Sequence, residues 1–160
     1  MKWLITTFLV VSLVVNPDIT EIRKLYPSAA VTEKSALALA EKLADVNNSN
    51  EKTLVAYKGA SITLKSKFSK GISNKIKFLK EGAKHIEFAL AGEPNNIEIR
   101  LIRLSVQENV PAIASYNKNI ADDKKFILSH YEQAGSLKDY IKNFILQSKS
   151  FSDKEKQAIK

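Results

Sequence analysis

Cysteine is absent from this chain of 160 residues, which excludes disulfides, thiolate metal sites, a cysteine nucleophile and a lipid anchor on an N-terminal cysteine. Arginine is scarce, because only Arg23, Arg100 and Arg103 are present. The sequence also lacks a Walker phosphate-binding loop, a dinucleotide-binding glycine fingerprint and a nucleophile elbow. We therefore expect neither a cofactor nor a metal, and a non-catalytic protein rather than an enzyme.

The formal charge of +8 arises from 25 lysines and arginines against 17 aspartates and glutamates, and lysine carries almost all of the excess. Bidentate recognition of phosphate or guanine favours arginine, so scattered lysines indicate a solvated basic surface and no nucleic-acid partner. A nucleic-acid-binding module would need one contiguous basic face. Hydrophobic residues make up 44% of the chain, a proportion typical of a single globular domain at this length.

The N-terminus carries an apolar run from Leu4 to Val15, which follows Lys2 and is stopped by Asn16-Pro17-Asp18. One positive charge and about a dozen apolar residues match the core of a signal peptide, whereas a membrane span needs about 20 residues. No A-x-A-like cleavage triplet lies near Val15. We expect residues 1–16 to be a cleaved leader and residues 17–160 to be one helical domain, periplasmic or secreted by a bacterium, with no membrane span. A buried N-terminal helix or strand and a retained membrane anchor are the alternatives.

Beyond this run, apolar residues recur at helical spacing and almost nowhere in strict alternation. The pattern predicts a short first helix ended by Pro27 and a second helix with Thr32 as its N-cap. A long third helix is predicted to reach Phe68, and the turn after it contains Gly71. These assignments leave no segment for a β-sheet.

The second half of the chain continues the helical pattern. A fourth helix is predicted to end at Gly92, and a fifth to run from about Asn96 to Glu108. The stretch Ile120–Tyr131 predicts a sixth helix, and capping boxes at Ser136 and Ser152 predict the starts of a seventh and an eighth. Because the linkers are short, the predicted fold is all-α, either an antiparallel helical bundle or a short solenoid.

The fourth helix and its exit resemble the second helix of a tetratricopeptide repeat, with Gly82, Ile86, Ala89 and Pro94 at the characteristic positions. The resemblance covers about Leu54–Glu108 as one degenerate repeat. It implies a tetratricopeptide-like helix pair in which small residues let a neighbouring helix approach closely.

Polar residues of the fifth helix are the candidate partner contacts. Arg100, Arg103 and Gln107 stand at i, i+3 and i+7 and therefore share one face of the helix, where two arginines can clamp a carboxylate or a phosphate. Alternatively, Arg103 pairs with an acidic neighbour such as Glu108, or caps carbonyl groups between helices. The tetratricopeptide resemblance implies that the peptide-contacting side of this helix carries Glu98, Leu101, Ser105 and Glu108.

The remaining titratable residues have structural interpretations. His85 and His130 have no partner at metal-ligand spacing within their own helices. Asp122-Asp123 lies early in the sixth helix, where carboxylates stabilise the helix dipole. Three glutamates are interpreted as solvent-facing charges: Glu87, Glu93 and Glu98.

These observations favour a non-catalytic helical module of the cell envelope, or a secreted one, that binds a protein or peptide partner. The alternatives are an envelope enzyme or ligand-binding protein with an unrecognised site, and a basic nucleic-acid-binding module. A cluster of carboxylates or histidines in a deep pocket would favour the enzyme.

Overall fold

The computed structural model describes residues 16–111 and 114–159, which form α-helices and short turns and contain no β-strand. The helices are α1 (Ile19–Ala29), α2 (Glu33–Lys42), α3 (Lys52–Phe68), α4 (Ile72–Gly92), α5 (Ile97–Gln107), α6 (Ile120–His130), α7 (Lys138–Gln147) and α8 (Asp153–Ala158). The prediction of an all-α fold is confirmed. The predicted leader spans residues 1–16, of which residues 1–15 lie outside the described residues.

Helices α3 and α4 form a hairpin in which two glycines face each other. A Cβ atom placed on Gly59 would lie 2.5 Å from the carbonyl oxygen of Gly82, and one placed on Gly82 would run into the carbonyl oxygen of Gly59. It would also lie 2.5 Å from the side-chain methyl of Thr63. Because no side chain fits between the two backbones, the close approach requires glycine on both helices. The predicted approach of a neighbouring helix at Gly82 is confirmed, and Gly59 is its counterpart.

Helix α5 lies between two parts of the core and buries residues on two sides. Ile99 and Ile102 pack into a cluster supplied mainly by α1 to α4, whereas Leu101 and Leu104 pack with residues of α6 and α7. All four side chains are at most 1% exposed. Any polar residue on this helix must therefore find partners inside the protein.

Two predicted helix starts are confirmed by their capping hydrogen bonds. Thr32 accepts a hydrogen bond from the Ser35 amide at 3.1 Å, as a predicted N-cap should. Ser152 forms the predicted capping box with Glu155. The Glu155 carboxylate accepts hydrogen bonds from the amide and the hydroxyl of Ser152, and these bonds lower the pKa of Glu155.

Two predicted boundaries are wrong. Helix α1 continues past Pro27 to Ala29. The proline removes one backbone hydrogen bond and crowds the preceding turn, but the complete burial of Ala29 favours the continued helix. Ser136 does not open a capping box, since it lies within a 3₁₀ turn over Gly135–Leu137 and α7 begins without a side-chain cap.

Within the described ranges, no helix has the length and hydropathy needed to cross a membrane.

Candidate functional site

Arg103 is the centre of a buried ion-pair network that joins α4, α5 and α6. Its Nε and Nη2 atoms donate to the two carboxylate oxygens of Asp123 at 2.7 and 2.8 Å, and Nη1 donates to Glu87 at 3.0 Å. The Asp123 side chain is 0% exposed and that of Arg103 is 7% exposed. Burial alone would lower the pKa of Arg103, but the hydrogen bonds and charge of Asp123 outweigh it, and the pKa is raised.

The alternative in which Arg103 pairs with Glu108 is wrong as to the partner. The two residues are five positions apart on the chain, which places them about 140° apart around a helix. Arg103 instead reaches Asp123, a residue that the sequence suggested only as a charge on the α6 dipole. Asp123 does lie in the first turn of α6, so the dipole interpretation was incomplete.

Arg100 joins the same carboxylate, whereas Gln107 does not. Arg100 donates from Nη1 to Asp123 at 3.0 Å and from Nε to the carbonyl of Pro94 at 2.9 Å, and its guanidinium lies 4.2 Å from the centre of the Phe126 ring. Gln107 is 1% exposed and donates to Asn119 at 3.4 Å, while its side-chain oxygen has no partner in the described part of the chain. Both predicted arginines therefore donate hydrogen bonds to the same buried carboxylate, that of Asp123.

Glu98 belongs to a second buried network, so its interpretation as a solvent-facing charge is wrong. The side chain is 3% exposed and accepts two hydrogen bonds from Arg23, at 2.8 and 2.7 Å. The hydroxyl of Tyr57 donates to the same carboxylate at 2.8 Å, and the hydroxyl of Tyr140 lies 3.0 Å from that of Tyr57. Partners from α1 and α3 make this burial possible, and the Glu98 hydrogen bond raises the pKa of Arg23.

Ser105 and Glu108 are also engaged within the chain. The hydroxyl of Ser105 lies 2.7 Å from that of Tyr26, and Glu108 accepts hydrogen bonds from Ser148 and Ser150 at 2.5 and 2.8 Å. The face of α5 that the tetratricopeptide resemblance assigns to a peptide is therefore covered by α1 and by the segment after α7. A role in partner contact stays a prediction for all six residues, and a partner would reach the most buried ones only after these elements moved.

A groove that the sequence did not predict opens between α2 and the end of the α3–α4 hairpin. Its volume is about 180 Å³, and its lining residues are Glu33, Ala36, Leu37, Lys65, Phe68, Ser69 and Phe78. Leu37 is 58% exposed. Pockets for drug-sized ligands span roughly 300–1,000 Å³, so this groove matches a side chain of a partner better than a free small molecule.

The lysines concentrate around the same end of the molecule. The segment Lys52–Lys80 contains eight lysines and no acidic residue. Six of these lysines are exposed on the last turn of α3, the turn that follows and the first half of α4: Lys65, Lys67, Lys70, Lys75, Lys77 and Lys80. The interpretation of the lysines as scattered is wrong for this segment. The sequence signal that could have identified it is the run of lysines without an acidic residue from Lys52 to Lys80.

The described residues contain no group of three or more histidine, aspartate or glutamate side chains placed to hold a metal ion. No family model, curated protein or solved structure matches this chain.

Proposed function

We propose that this chain is a non-catalytic helical module that binds a protein or peptide partner in the groove between α2 and the α3–α4 hairpin. The groove itself carries the proposal, because the exposed side chain of Leu37 lies beside Phe68 and Phe78 in a recess open to solvent. Covering such apolar surface is favourable by about 25 cal/mol per Å². A partner that inserts one apolar side chain would gain this energy.

The surroundings of the groove favour an acidic partner segment. Glu33 is the single acidic residue of the lining, and Lys65 lines the opposite wall. Further exposed lysines follow at Lys67 and Lys70. An amphipathic helix with apolar anchors and flanking carboxylates uses a groove of this kind, and its charge would also speed association with a basic surface.

The groove is a better candidate than the polar residues of α5. Peptide binding is what the tetratricopeptide resemblance implies, but the side chains of Glu98 and Arg103 are at most 7% exposed and already have charged partners. Uncovering either residue would break a buried ion pair, which is costly. The groove needs no such rearrangement. We therefore place the partner at Leu37 and assign structural roles to the two buried networks.

We also propose that the protein is exported from a bacterial cell after removal of residues 1–16. The apolar run from Leu4 to Val15 supports this proposal, since its length matches a signal-peptide core. N-terminal sequencing of the protein recovered from the envelope or the medium should reveal a shortened chain. An intact Met1 on a soluble cytoplasmic protein would contradict export.

Photo-crosslinking in the native host tests the groove directly. A photoreactive amino acid at position 37 should give a discrete adduct with one partner, identified by mass spectrometry. Position 88 is the matched control, because Phe88 is also an exposed apolar residue, at 41%, but lies at the opposite end of α4. The purified partner should then bind the wild-type protein and lose affinity for Leu37→Glu. The same adducts from both positions, or unchanged affinity for Leu37→Glu, would contradict the proposal.

A further inference from the structure

A second surface adjoins the groove, shares Leu37 and Lys65 with it, and combines exposed apolar residues with lysines. Of the five large hydrophobic residues that are exposed in the described part of the chain, four lie at this end: Val31 (72%), Leu37 (58%), Ile72 (75%) and Ile76 (37%). The α1–α2 turn that carries Val31 is tied to the hairpin, since Lys67 donates to the carbonyl of Ala30 at 2.5 Å. We call this surface the basic end, comprising these four residues and the six exposed lysines of Lys65–Lys80.

The tip of the hairpin projects from the core. Every residue from Lys70 to Lys77 is exposed, although six of these eight residues belong to α4. Ile72 and Ile76 have the same helical spacing as the buried residues Leu79 and Ile86 and therefore lie on the same side of α4. Other helices cover this side at Leu79 and Ile86, but not over the first two turns of α4. The two isoleucines are therefore exposed to water at a projecting helix end. Because no groove is present there in the described part of the chain, this surface does not suit a bound peptide.

We propose that the basic end docks on the surface of an anionic lipid bilayer. Isoleucines that project between lysines can enter the boundary between headgroups and acyl chains while the ammonium groups remain among anionic headgroups. Lysine is sufficient for this attraction, which acts through point charges within about a Debye length of the surface. The segment Lys52–Lys80 has no arginine and no carboxylate, so the charge of the tip is of one sign.

Other anionic partners fit this surface less well. Nucleic-acid sites depend on arginine and on polar or aromatic contacts to bases, whereas the tip offers lysine and aliphatic side chains. The tip does provide the contiguous basic face that a nucleic-acid-binding module would need, and an oligonucleotide is therefore included in the test. This inference does not depend on the peptide-binding groove, because residues 70–77 of the tip, which the test changes, do not line the groove.

The test is sedimentation of the full chain with vesicles of phosphatidylcholine alone and of phosphatidylcholine mixed with phosphatidylglycerol. The first variant reverses three charges at the tip, Lys70→Glu, Lys75→Glu and Lys77→Glu, and the second replaces Ile72→Ser and Ile76→Ser. All five positions are exposed, so the fold should survive, which circular dichroism would verify. The matched control reverses three exposed lysines elsewhere: Lys118→Glu, Lys125→Glu and Lys154→Glu.

The wild-type protein should bind the anionic vesicles more strongly than the neutral ones, and less strongly at high salt. The tip charge variant should lose roughly tenfold or more of the partition coefficient, while the control loses no more than about twofold. The isoleucine variant should bind more weakly at every salt concentration. Since the apolar run at residues 4–15 is present in all the proteins, its contribution cancels. Equal losses for the tip and control variants, or tip-dependent binding of an oligonucleotide without vesicle binding, would overturn the proposal.

Discussion

The guanidinium of Arg103 and the carboxylate of Asp123 form two hydrogen bonds, of 2.7 and 2.8 Å, across the contact between α5 and α6. Neither side chain is more than 7% exposed. A buried pair of this kind contributes little net stability relative to apolar residues, but its two hydrogen bonds form only when the two side chains are correctly aligned. We infer that the pair fixes how α6 and the C-terminal helices sit on α5.

The first prediction is that Arg103→Ala destabilises the protein by about 3–5 kcal/mol, because it leaves the Asp123 carboxylate buried without its main partner. Arg100→Ala should cost less, since Arg100 makes one hydrogen bond to Asp123 and is 18% exposed. Urea unfolding of the two variants measures both free energies. A cost for Arg100→Ala equal to that of Arg103→Ala would show that the network is not organised around Arg103.

The same Arg103→Ala protein also tests the prediction that these arginines clamp a partner. If the pair is structural, the variant should lose stability and still capture the partner identified by crosslinking at position 37. A variant that keeps its stability but loses capture would support the clamp. A double variant, Arg103→Met with Asp123→Leu, should recover much of the lost stability, because both charges are removed together.

A second prediction concerns Arg23 and Glu98, the pair that holds α1 against α5. Arg23→Met should cost about 3 kcal/mol, the lower end of the range for a broken buried pair, because Tyr57 still donates to the Glu98 carboxylate. Adding Glu98→Gln to this variant should restore part of the loss, since a neutral amide is cheaper to bury than a carboxylate. Urea unfolding of the two single variants and the double variant gives the coupling. Strictly additive costs would contradict a direct interaction.

The sequence was sufficient to predict the elements whose signals are local. Helical spacing and capping patterns together predicted every α-helix in the described residues, and Thr32 and Ser152 act as the N-caps that their side chains predicted. Gly82 could be singled out from its position in a repeat-like pattern. Its counterpart Gly59 could not, because the facing residue on α3 depends on the register between two helices.

Ion pairs between residues that are far apart in the chain could not be predicted from the sequence. Glu98 looked like a surface charge because nothing local indicates that α1 delivers Arg23 from 75 positions away. Helix α5 packs against the core on two sides, so Glu98, Arg103 and Gln107 are all buried although they do not share one face. The spacing of apolar residues along one helix does not show that two sides are covered. The basic end was not predicted for another reason. The net charge describes the whole chain and does not show that many of the lysines lie between Lys52 and Lys80.

A third prediction concerns alkaline pH. Burial raises the pKa of Tyr57, Tyr26 and Tyr116 well above the usual value, and that of Tyr140 to about 12. These groups are protonated in the folded protein at a pH where the unfolded chain, with pKa values of about 10, has begun to ionise. The stability that they contribute is therefore fully present below pH of about 10 and is lost as the pH rises through their folded pKa values.

Urea unfolding at increasing pH should show a falling free energy of unfolding above pH of about 10. The ultraviolet absorbance of tyrosinate should rise together with the loss of helical circular dichroism. Tyr140→Phe removes one of these groups and should make the decrease shallower. Tyrosinate formation well before unfolding would mean that the hydroxyl groups near Glu98 are open to solvent.

The last prediction compares two glycines of α4, Gly82 in the middle of the helix and Gly92 at its end, which have different surroundings. Replacing a helical glycine by alanine normally stabilises a helix by about 0.5–1 kcal/mol. At Gly82 the new Cβ would meet the carbonyl oxygen of Gly59 and, at 2.9 Å, the amide nitrogen of Thr63. Both atoms belong to the backbone of α3, so the two helices must separate, and overpacking of this kind costs about 1–3 kcal/mol. We therefore expect Gly82→Ala to lower the free energy of unfolding, and Gly82→Leu to lower it further.

Gly92→Ala is the matched control at the other end of the same helix. Its Cβ would lie 2.9 Å from the Cε atom of Lys52, the end of a flexible side chain that can swing away. Gly92→Ala should therefore leave the stability unchanged or raise it by up to about 1 kcal/mol. Urea unfolding of both variants decides the matter, because helix propensity acts in the same direction at the two sites and the contact with Gly59 acts only at one. If Gly82→Ala were as stable as Gly92→Ala, the close approach of α3 and α4 would not depend on glycine.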